Sequence, residues 1–263
     1  MHTSLSFFSP SAQPHHPSPD QASRPASFLD RVKDRLLRTV RAHRRHLGHV
    51  FRPNIWTVEP VSRDFGFDRG QPVDRFYIER FLAREAAAIR GEVLEIGHDL
   101  YTRRFGGDRV TRSDVLYREA GLPNATIVAD LVNAPGIESN RFDCIILIHT
   151  LQYIFDAPAA LRTCRRILKA GGALLIAVPF IGQYSPGDRE QWGEYWRFSR
   201  MALDRMLADV FGPEHVSVEA YGNALSATAF LHGIAAEELS APELDAYDQD
   251  YDLIVAGVAR KQD

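Results

Sequence analysis

From residue 91 onward, short apolar runs alternate with longer segments whose apolar residues recur every three or four positions. After its first residue, the run at 143–148 is apolar without interruption, as expected of a strand buried on both faces of a sheet. Such runs alternating with helical segments are typical of a parallel sheet flanked by helices. Strands are predicted at 92–96, from near Val110 to Asp114, and at 125–129, 143–148, 173–178, 215–220 and 252–258.

Helices are predicted between these strands. Residues 72–90 have helical apolar spacing, begin with a proline that suits a first turn, and stop at Gly91. Further helices are predicted at 158–169, 199–211 and 223–238. Residues 50–71 contain several proline and glycine breakers and are predicted to be irregular. The sequence therefore predicts one domain over 50–263 that opens with an N-terminal lid segment.

The first 49 residues differ in composition from this domain. Residues 1–26 are rich in serine, proline and histidine and are predicted to be a disordered tail. Residues 27–49 combine helical apolar spacing with many basic residues, which predicts a basic amphipathic helix. This helix either contacts an anionic membrane surface or an acidic protein, or presents an ordinary solvated face.

The composition excludes several classes of protein. The 263 residues are 45% hydrophobic and 25% charged, which suits a globular protein with a core. A formal net charge of −3 gives no overall attraction to nucleic acid, so no nucleic-acid partner is predicted. Cys144 and Cys164 are too few for a disulfide framework or a zinc cluster, so we expect no metal and a reduced, cytoplasmic compartment. No apolar run approaches the roughly 20 residues that span a bilayer.

The segment GEVLEIGHDLYTRRFGG, residues 91–107, is a short apolar strand that runs into a turn. A dinucleotide-binding turn has three glycines, and here Asp99 and Tyr101 stand where the second and third would be. A nicotinamide dinucleotide is therefore a poor fit, because its pyrophosphate needs close backbone approach at a helix N-terminus. A ligand without pyrophosphate tolerates the loss, since aspartate adopts left-handed backbone conformations more readily than most residues.

The segment FDCIILIHTLQYIFDAPAALRTCRRILKAGGALLIAV, residues 142–178, resembles the second half of class I S-adenosylmethionine-dependent methyltransferases. The likeness lies in an aspartate that opens a buried strand, a Leu-Gln-Tyr turn followed by an aspartate, and a helix that leads through Gly-Gly into a strand. It implies an α/β fold with a Rossmann-like, mostly parallel seven-stranded sheet whose last strand is antiparallel, and S-adenosylmethionine as cofactor. WGEYWRFS at 192–199, AYGN at 220–223 and AFLHGIAAEEL at 229–239 resemble a bacterial subgroup associated with glycosyltransferases of surface polysaccharide pathways.

Candidate residues for this cofactor begin in the first turn. Gly97 allows close approach of the ligand, and Glu95 and Asp99 offer carboxylates to the methionine ammonium. Asp114, about 20 residues beyond Glu95, is where a Rossmann-like sheet places an acid for the ribose hydroxyls, with Val115 beside it.

The methionine carboxylate needs a cation, and three arginines lie near the turn in sequence. Arg69 and Arg75 are preferred because they lie on a segment able to fold over the cofactor, and Arg103 is the third candidate. For any one of them the alternative is an ordinary surface arginine.

The resemblance extends the cofactor site to the third and fourth strands. Asp130 with Leu131 resembles the pair that binds adenine in the family, and the alternative for Asp130 is a cap on the next turn. His149 and Thr150 occupy the position whose backbone faces the sulfonium in the family. We interpret His149 as packing against the cofactor rather than as a general base.

The acceptor is expected at the loop 180–198, which is dense in aromatic residues with interspersed charged side chains. Aromatic side chains of this kind suit the binding of a sugar ring or another flat polar ligand. The alternative is that they pack the loop onto the core. Tyr184 and Trp192 are the substrate candidates. Asp188, Glu194 and His232 are the candidate catalytic residues.

Together these observations predict an S-adenosylmethionine-dependent methyltransferase that O-methylates a saccharide or another small-molecule acceptor. The alternative is a catalytically weak methyltransferase-like module that serves as a scaffold in polysaccharide assembly. The depleted glycine turn, the lack of a clear general base and the basic helix at 27–49 motivate that alternative.

Overall fold

The computed structural model describes residues 57–121 and 123–262. The predicted tail at 1–26 and the predicted basic helix at 27–49 lie outside the described residues, as do the first residues of the predicted domain. Residues 57–71 form neither helix nor strand, in agreement with their proline and glycine breakers. Within the described part of the chain, no helix combines the length and the apolar character needed to cross a membrane.

Seven strands of the described residues form one sheet. They are β1 (Gly91–Ile96), β2 (Val110–Tyr117), β3 (Ile127–Val128), β4 (Phe142–Ile148), β5 (Leu168–Pro179), β6 (Val216–Tyr221) and β7 (Ile254–Arg260). Their spatial order is β3-β2-β1-β4-β5-β7-β6. The first five pair in parallel, and β7 is antiparallel to both of its neighbours. This arrangement confirms the predicted Rossmann-like, mostly parallel sheet with a reversed last strand.

Helices pack against both faces of this sheet. They are α1 (Val73–Arg84), α2 (Ala157–Ile167), α3 (Pro186–Trp192), α4 (Arg200–Phe211), α5 (Ala224–Leu231) and α6 (Ala241–Asp245). Three of them begin at a side-chain cap, as their sequences favour, and at the start of α5 the side chain of Asn223 accepts a hydrogen bond from the backbone N–H of Ser226. Asp156 accepts a hydrogen bond from the backbone N–H of Ala159 at the start of α2, and Ser199 accepts one from Ala202 at the start of α4.

Several predicted elements differ in their bounds from the observed ones. The helix expected over 223–238 ends at Leu231, because Gly233, with a φ of 66°, turns the chain where a side chain would meet the backbone of Ser62. The helix expected over 72–90 ends at Arg84 and is followed by a short 3-10 turn. β5 begins before the Gly-Gly pair because Leu168 already pairs with β4.

The central strand β4 contributes to two hydrophobic cores. Ile145 and Leu147 belong to the core that also contains residues of α2 and α4, whereas Cys144 and Ile146 belong to the core that contains residues of α1 and α5. Successive side chains of a strand point to opposite faces of the sheet, so an unbroken apolar run supplies both cores. This burial makes β4 a rigid support for the residues that follow it.

β7 lies between β5 and β6, although it follows both in sequence. Residues 173–179 of β5 pair with one edge of β7, and residues 216–221 of β6 pair with the other edge. The reversed strand therefore occupies an interior position in the sheet.

Candidate active site

A cavity of about 600 Å³ opens at the carboxyl ends of β1, β2 and β4. In open parallel sheets ligands bind at this edge, where the strand order reverses, and here the reversal falls between β1 and β4. The rest of the wall includes the start of α1, residues 64–67, the loop after β4, residues 182–197 and Phe230. Of the residues singled out from the sequence, those that line the cavity are Arg75, Gly97, Asp130, Leu131, His149, Thr150, Asp188, Trp192 and Glu194.

The turn after β1 forms with a single glycine in the left-handed region. Gly97 has a φ of 83°, and its N–H donates to the carbonyl of Leu116 over 2.9 Å. A Cβ added to Gly97 would meet nothing within 4 Å among the described residues outside its chain neighbours, so the space above the turn is open. Asp99 has no positive φ, forms an ion pair with Arg103 over 2.6 Å and does not line the cavity.

Glu95 is buried beneath this turn, and both of its oxygens are engaged within it. Oε1 accepts the backbone N–H of Tyr101 over 3.2 Å and lies 2.7 Å from Nδ1 of His98. Oε2 accepts the backbone N–H and the hydroxyl of Thr102, each over 2.8 Å. Because Glu95 does not line the cavity, its contacts hold the turn in shape rather than face a ligand.

Tyr101 fills the position of a third glycine and connects the turn to α1. Its ring is buried, and its hydroxyl accepts a hydrogen bond from Nη1 of Arg75 over 2.7 Å. Burial would lower the pKa of Arg75, but the negative charge of Asp74 and the contact with Tyr101 outweigh it and raise that pKa. Arg75 is thus a fixed cation at the cavity wall.

The other two arginines considered for this role lie elsewhere. Nε and Nη2 of Arg69 donate to the two carboxylate oxygens of Glu238 over 2.7 and 2.6 Å, and Arg69 does not line the cavity. Arg103 pairs with Asp99 and does not line it either. The structure therefore singles out Arg75 among the three.

Asp114 lies within β2 and not at its end, contrary to the prediction. The strand continues to Tyr117, and the carboxylate of Asp114 accepts a hydrogen bond from Nη2 of Arg141 over 2.6 Å and one from the hydroxyl of Thr126 over 2.8 Å. Nε of Arg112 lies 3.0 Å from the same carboxylate. Because β2 extends beyond them, neither Asp114 nor Val115 reaches the cavity.

The ends of β2 and β3 bring a different set of side chains to the cavity. Tyr117 and Arg118 stand there, and the described residues between the two strands form no helix. Oδ1 of Asp130 accepts the backbone N–H of Val132 over 2.9 Å, and Oδ2 lies 3.4 Å from Nε of Arg118. Asp130 therefore caps the next turn while remaining at the cavity, where Leu131 supplies an apolar surface.

His149 and Thr150 follow β4 directly. His149 has a φ of 46°, which takes the chain out of the strand conformation, and its Nε2 lies 2.9 Å from Oδ2 of Asp74 in α1. The hydroxyl of Thr150 donates to the carbonyl of Ile148 over 3.0 Å. The end of β4 and the start of α1 are thereby joined at the cavity.

Trp192 and Tyr184 have different places in the segment that forms the opposite wall. Trp192 packs edge-on against Tyr117, with ring centroids 5.7 Å apart, and the guanidinium carbon of Arg118 lies 5.9 Å from its ring. It therefore bridges α3 and the end of β2. Tyr184 does not line the cavity and is exposed beside the guanidinium groups of Arg189 and Arg197.

The carboxylates of this wall are both held by neighbours. Oδ2 of Asp188 accepts hydrogen bonds from the hydroxyls of Ser185 over 2.6 Å and Tyr153 over 3.3 Å. Burial raises the pKa of Tyr153 to about 12, so its hydroxyl remains a donor. Glu194 forms an ion pair with Arg197 over 2.5 Å and accepts the backbone N–H of Ser185.

His232 lies away from this cavity. It follows α5, its carbonyl accepts the backbone N–H of Ser62 over 3.0 Å, and it does not line the cavity. Its Nδ1 is buried and has no hydrogen-bond partner among the described residues. This placement gives His232 no access to a substrate in the cavity.

Several residues that the sequence did not single out line the cavity. The only sequence signal for Asp74 is its place in the first turn of a helix, where acids are favoured by the helix dipole alone. Tyr117 and Arg118 were missed because the predicted second strand ended too early. The missed residues include Asp74, Tyr117, Arg118 and Tyr153.

Comparisons with known proteins bear on this architecture. Residues 96–176 match a family model described as a methyltransferase domain. A comparison with curated proteins gives no match.

Among solved structures, the chain is similar to a SAM-dependent methyltransferase from Archaeoglobus fulgidus, with 13% identity over 72% of this chain and 94% of that chain and a TM-score of 0.49. It is also similar to the N-methyltransferase NodS from Bradyrhizobium japonicum WM9 in complex with S-adenosyl-L-homocysteine, with 15% identity over 72% and 88% of the two chains and a TM-score of 0.42. The YcgJ protein from Bacillus subtilis shares 13% identity over 70% and 99%, with a TM-score of 0.43. At these values the similarities assign neither residue roles nor an acceptor.

The cavity residues fit the cofactor that the family match implies. The matched segment contains the turn at Gly97, whose missing Cβ leaves the end of β1 open, and extends through β4 into β5. Arg75 is a cation at the cavity that could pair with an amino-acid carboxylate, and Ile96 and Leu131 are apolar side chains against which a flat base could pack. The family match and the cavity together support a methyltransferase activity with S-adenosylmethionine as the methyl donor.

Proposed function

We propose that this methyltransferase acts on a hydroxyl group of a small polar acceptor, with a saccharide or a saccharide-linked intermediate as the leading class. The observation that carries the proposal is the wall formed by residues 182–197 and the loop after β4, which combines exposed aromatic rings with carboxylates. A cavity of this kind, with apolar faces and a few fixed polar groups, is typical of small-molecule sites.

The aromatic part of this wall is accessible. Phe155, with 69% of its surface exposed, lies edge-on to Tyr195 at a centroid distance of 5.4 Å and stacks on Trp196 at 5.8 Å. Phe155 and Tyr195 both line the cavity. Aromatic faces of this kind bind the C–H face of a sugar ring, because that face is apolar while the hydroxyls project from the ring edge.

The polar part of the wall offers acceptors for such hydroxyls. Both hydrogen bonds to Asp188 from Ser185 and Tyr153 go to Oδ2. No group in the described residues donates to Oδ1, and a carboxylate oxygen accepts two hydrogen bonds. Asp188 therefore has capacity for a ligand hydroxyl, whereas Glu194 is neutralised by Arg197 and supports the wall.

The proposed cofactor site uses residues on the opposite side of the cavity. Arg75 binds the methionine carboxylate, Gly97 lets the amino-acid part approach the turn, and Asp130 with Leu131 binds the adenine. S-adenosylmethionine, when bound, supplies a methyl group on a positively charged sulfur, which is already activated for transfer. The remaining task of the protein is to align the acceptor, exclude water and remove the hydroxyl proton.

The experiment is a transfer assay with the full chain and S-adenosylmethionine carrying a labelled methyl group. The acceptor panel contains methyl glycosides, nucleoside-diphosphate sugars and short oligosaccharides, with a matched panel of amino sugars, and products are read by mass spectrometry. We expect a labelled methyl ether on a hydroxylated acceptor. Binding of S-adenosylhomocysteine without transfer to any of the acceptors would instead support the non-catalytic scaffold, and methylation of amines alone would overturn the O-directed function.

A further inference from the structure

Asp74 and His149 form a buried pair at the cavity wall. Nε2 of His149 lies 2.9 Å from Oδ2 of Asp74, and 16% and 6% of the two side chains are exposed. Oδ1 of Asp74 accepts the backbone N–H of Arg75 over 2.7 Å. Both carboxylate oxygens are therefore held by neighbours, and Oδ2 fixes the imidazole.

The backbone at His149 is held in an unusual conformation. A φ of 46° is uncommon for a residue other than glycine, and such strain tends to persist at functional sites where surrounding contacts enforce it. Two contacts enforce it here, since the N–H of His149 donates to the carbonyl of Ala177 over 3.0 Å while the ring is held by Asp74. The strained turn thus places an imidazole at the cavity directly after the buried strand β4.

The charges around the pair decide its protonation. Burial lowers the pKa of His149, the hydrogen bond and charge of Asp74 oppose this, and the positive charges of Arg75 and Arg197 lower it further. Burial raises the pKa of Asp74, but His149 and Arg75 outweigh it and hold that pKa below its ordinary value. Near neutral pH the pair is therefore a neutral imidazole and a carboxylate.

The hydrogen bond to the carboxylate also selects the tautomer. The proton of the neutral ring lies on Nε2, where it faces Asp74, so Nδ1 carries the lone pair. No described residue forms a hydrogen bond with Nδ1, and this atom is not among the buried polar atoms without a partner. A basic nitrogen is thus available at the wall of the cavity.

We propose that His149 is the general base of the reaction and that Asp74 is the residue that positions it. The proposal rests on the O-directed function above. As the acceptor oxygen bonds to the methyl carbon, the methyl–sulfur bond breaks and its electron pair stays on sulfur. The hydroxyl proton passes to Nδ1 of His149, and the carboxylate of Asp74 stabilises the resulting imidazolium. The dyad supplies the base that was not evident in the sequence.

The test uses the full chain and the variants His149→Gln and Asp74→Asn, with folding checked by urea unfolding. We expect His149→Gln to bind S-adenosylhomocysteine within twofold of wild type in calorimetry, while methyl transfer falls about 100-fold or more. Asp74→Asn removes the negative charge that raises the pKa of His149, so the acidic limb of its rate profile shifts to lower pH and its rate falls.

A second readout needs no acceptor. In the free protein, nitrogen NMR of labelled histidine is expected to show His149 neutral at pH 7 with its proton on Nε2, and Asp74→Asn is expected to lower its pKa. A doubly protonated ring, or a proton on Nδ1, overturns the proposal whether or not an acceptor has been found.

Two further outcomes separate this proposal from the proposed function. A hydroxyl acceptor that His149→Gln methylates at an undiminished rate overturns the base while leaving O-methylation intact. A tenfold or greater loss of S-adenosylhomocysteine affinity in His149→Gln, with no larger loss of transfer, overturns the base in favour of a cofactor contact. Transfer to amines alone overturns the O-directed function and the base together.

Discussion

The hydroxyl of Tyr101 accepts a hydrogen bond from Arg75 over 2.7 Å, so the residue that replaces a glycine in the turn after β1 also fixes a cation at the cavity. A turn with three glycines has no side chain at this position. Tyr101 therefore adds a hydrogen bond between the turn and α1 that a glycine could not make.

Replacement of this cation tests the cofactor half of the site. Arg75→Met is expected to weaken binding of S-adenosylhomocysteine about tenfold or more, because a hydrogen bond to a charged group contributes about 1.5–3 kcal/mol. Calorimetric titration measures the change. Arg69→Met is the matched control, since Arg69 is paired with Glu238 outside the cavity, and equal losses in the two variants would contradict the assignment.

The absence of a side chain at Gly97 is expected to be needed for cofactor binding, in addition to the backbone conformation that glycine allows. Gly97→Ala forces an alanine to a φ of 83° and adds a methyl group to the open space of the cavity. The backbone conformation costs about 1–2 kcal/mol of folding free energy. We expect this loss in urea unfolding, together with a clear loss of S-adenosylhomocysteine affinity.

Gly107→Ala is the control for that experiment. Gly107 also has a positive φ, of 55°, and open space at its Cβ position, but it is exposed and does not line the cavity. Gly107→Ala should lose stability and keep its affinity. If Gly97→Ala behaved in the same way, close approach of the cofactor to the first turn would be refuted.

Asp114 and Asp130 are expected to have different roles, with Asp114 supporting stability and Asp130 supporting cofactor binding. Asp114→Asn leaves Arg141 without its charged partner, and removal of one member of a buried ion pair costs about 3–5 kcal/mol. We therefore expect a large loss of unfolding free energy and unchanged affinity for S-adenosylhomocysteine. Asp130→Asn should do the reverse, and a ribose contact by Asp114 would instead appear as lost affinity in its folded variant.

Stability should depend on pH through His149. Burial lowers its pKa in the folded state, and Asp74 does not restore it, so the unfolded chain binds the proton more tightly near the ordinary value of about 6.5. Stability should therefore fall as the pH drops from 7.5 to 5.5, by at most about 1.4 kcal/mol per pH unit from this group. His149→Gln should show a shallower dependence in urea unfolding. The pKa of Asp74 is also lowered, but that carboxylate titrates below about pH 4, outside this window.

The strands and the mostly parallel character of the sheet could be predicted from the sequence because their signals are local. The apolar run of β4, the turn at Gly97 and the Gly-Gly pair before residue 173 lie in single short segments. Alternation of such runs with helices leaves few arrangements open. The sequence does not determine how far each side chain lies from the carboxyl end of its strand, because apolar periodicity does not show where β2 ends. Because the predicted end of β2 was a few residues too early, Asp114 was wrongly expected at the cavity.

The contacts that build the candidate site are mostly invisible in the sequence. Asp74 and His149 are 75 positions apart, and neither the first turn of α1 nor the end of β4 signals the other. Arg69 and Arg75 are equivalent candidates in the sequence. In the structure, Arg69 pairs with Glu238, 169 positions further along the chain, and does not line the cavity. Pairing over such separations is decided by packing of the whole sheet, and local patterns carry no information about it.

The interior position of β7 has a consequence for how the chain can be shortened and assembled. β6 pairs only with β7 in the described sheet, so the edge formed by β6 cannot attach until residues 254–260 have been synthesised and have reached β5. Such long-range pairing closes late in folding, because the entropy of a long loop must be overcome first. Removal of those seven residues would therefore detach β6 and expose the edge of β5, which makes even a small truncation a risk for aggregation.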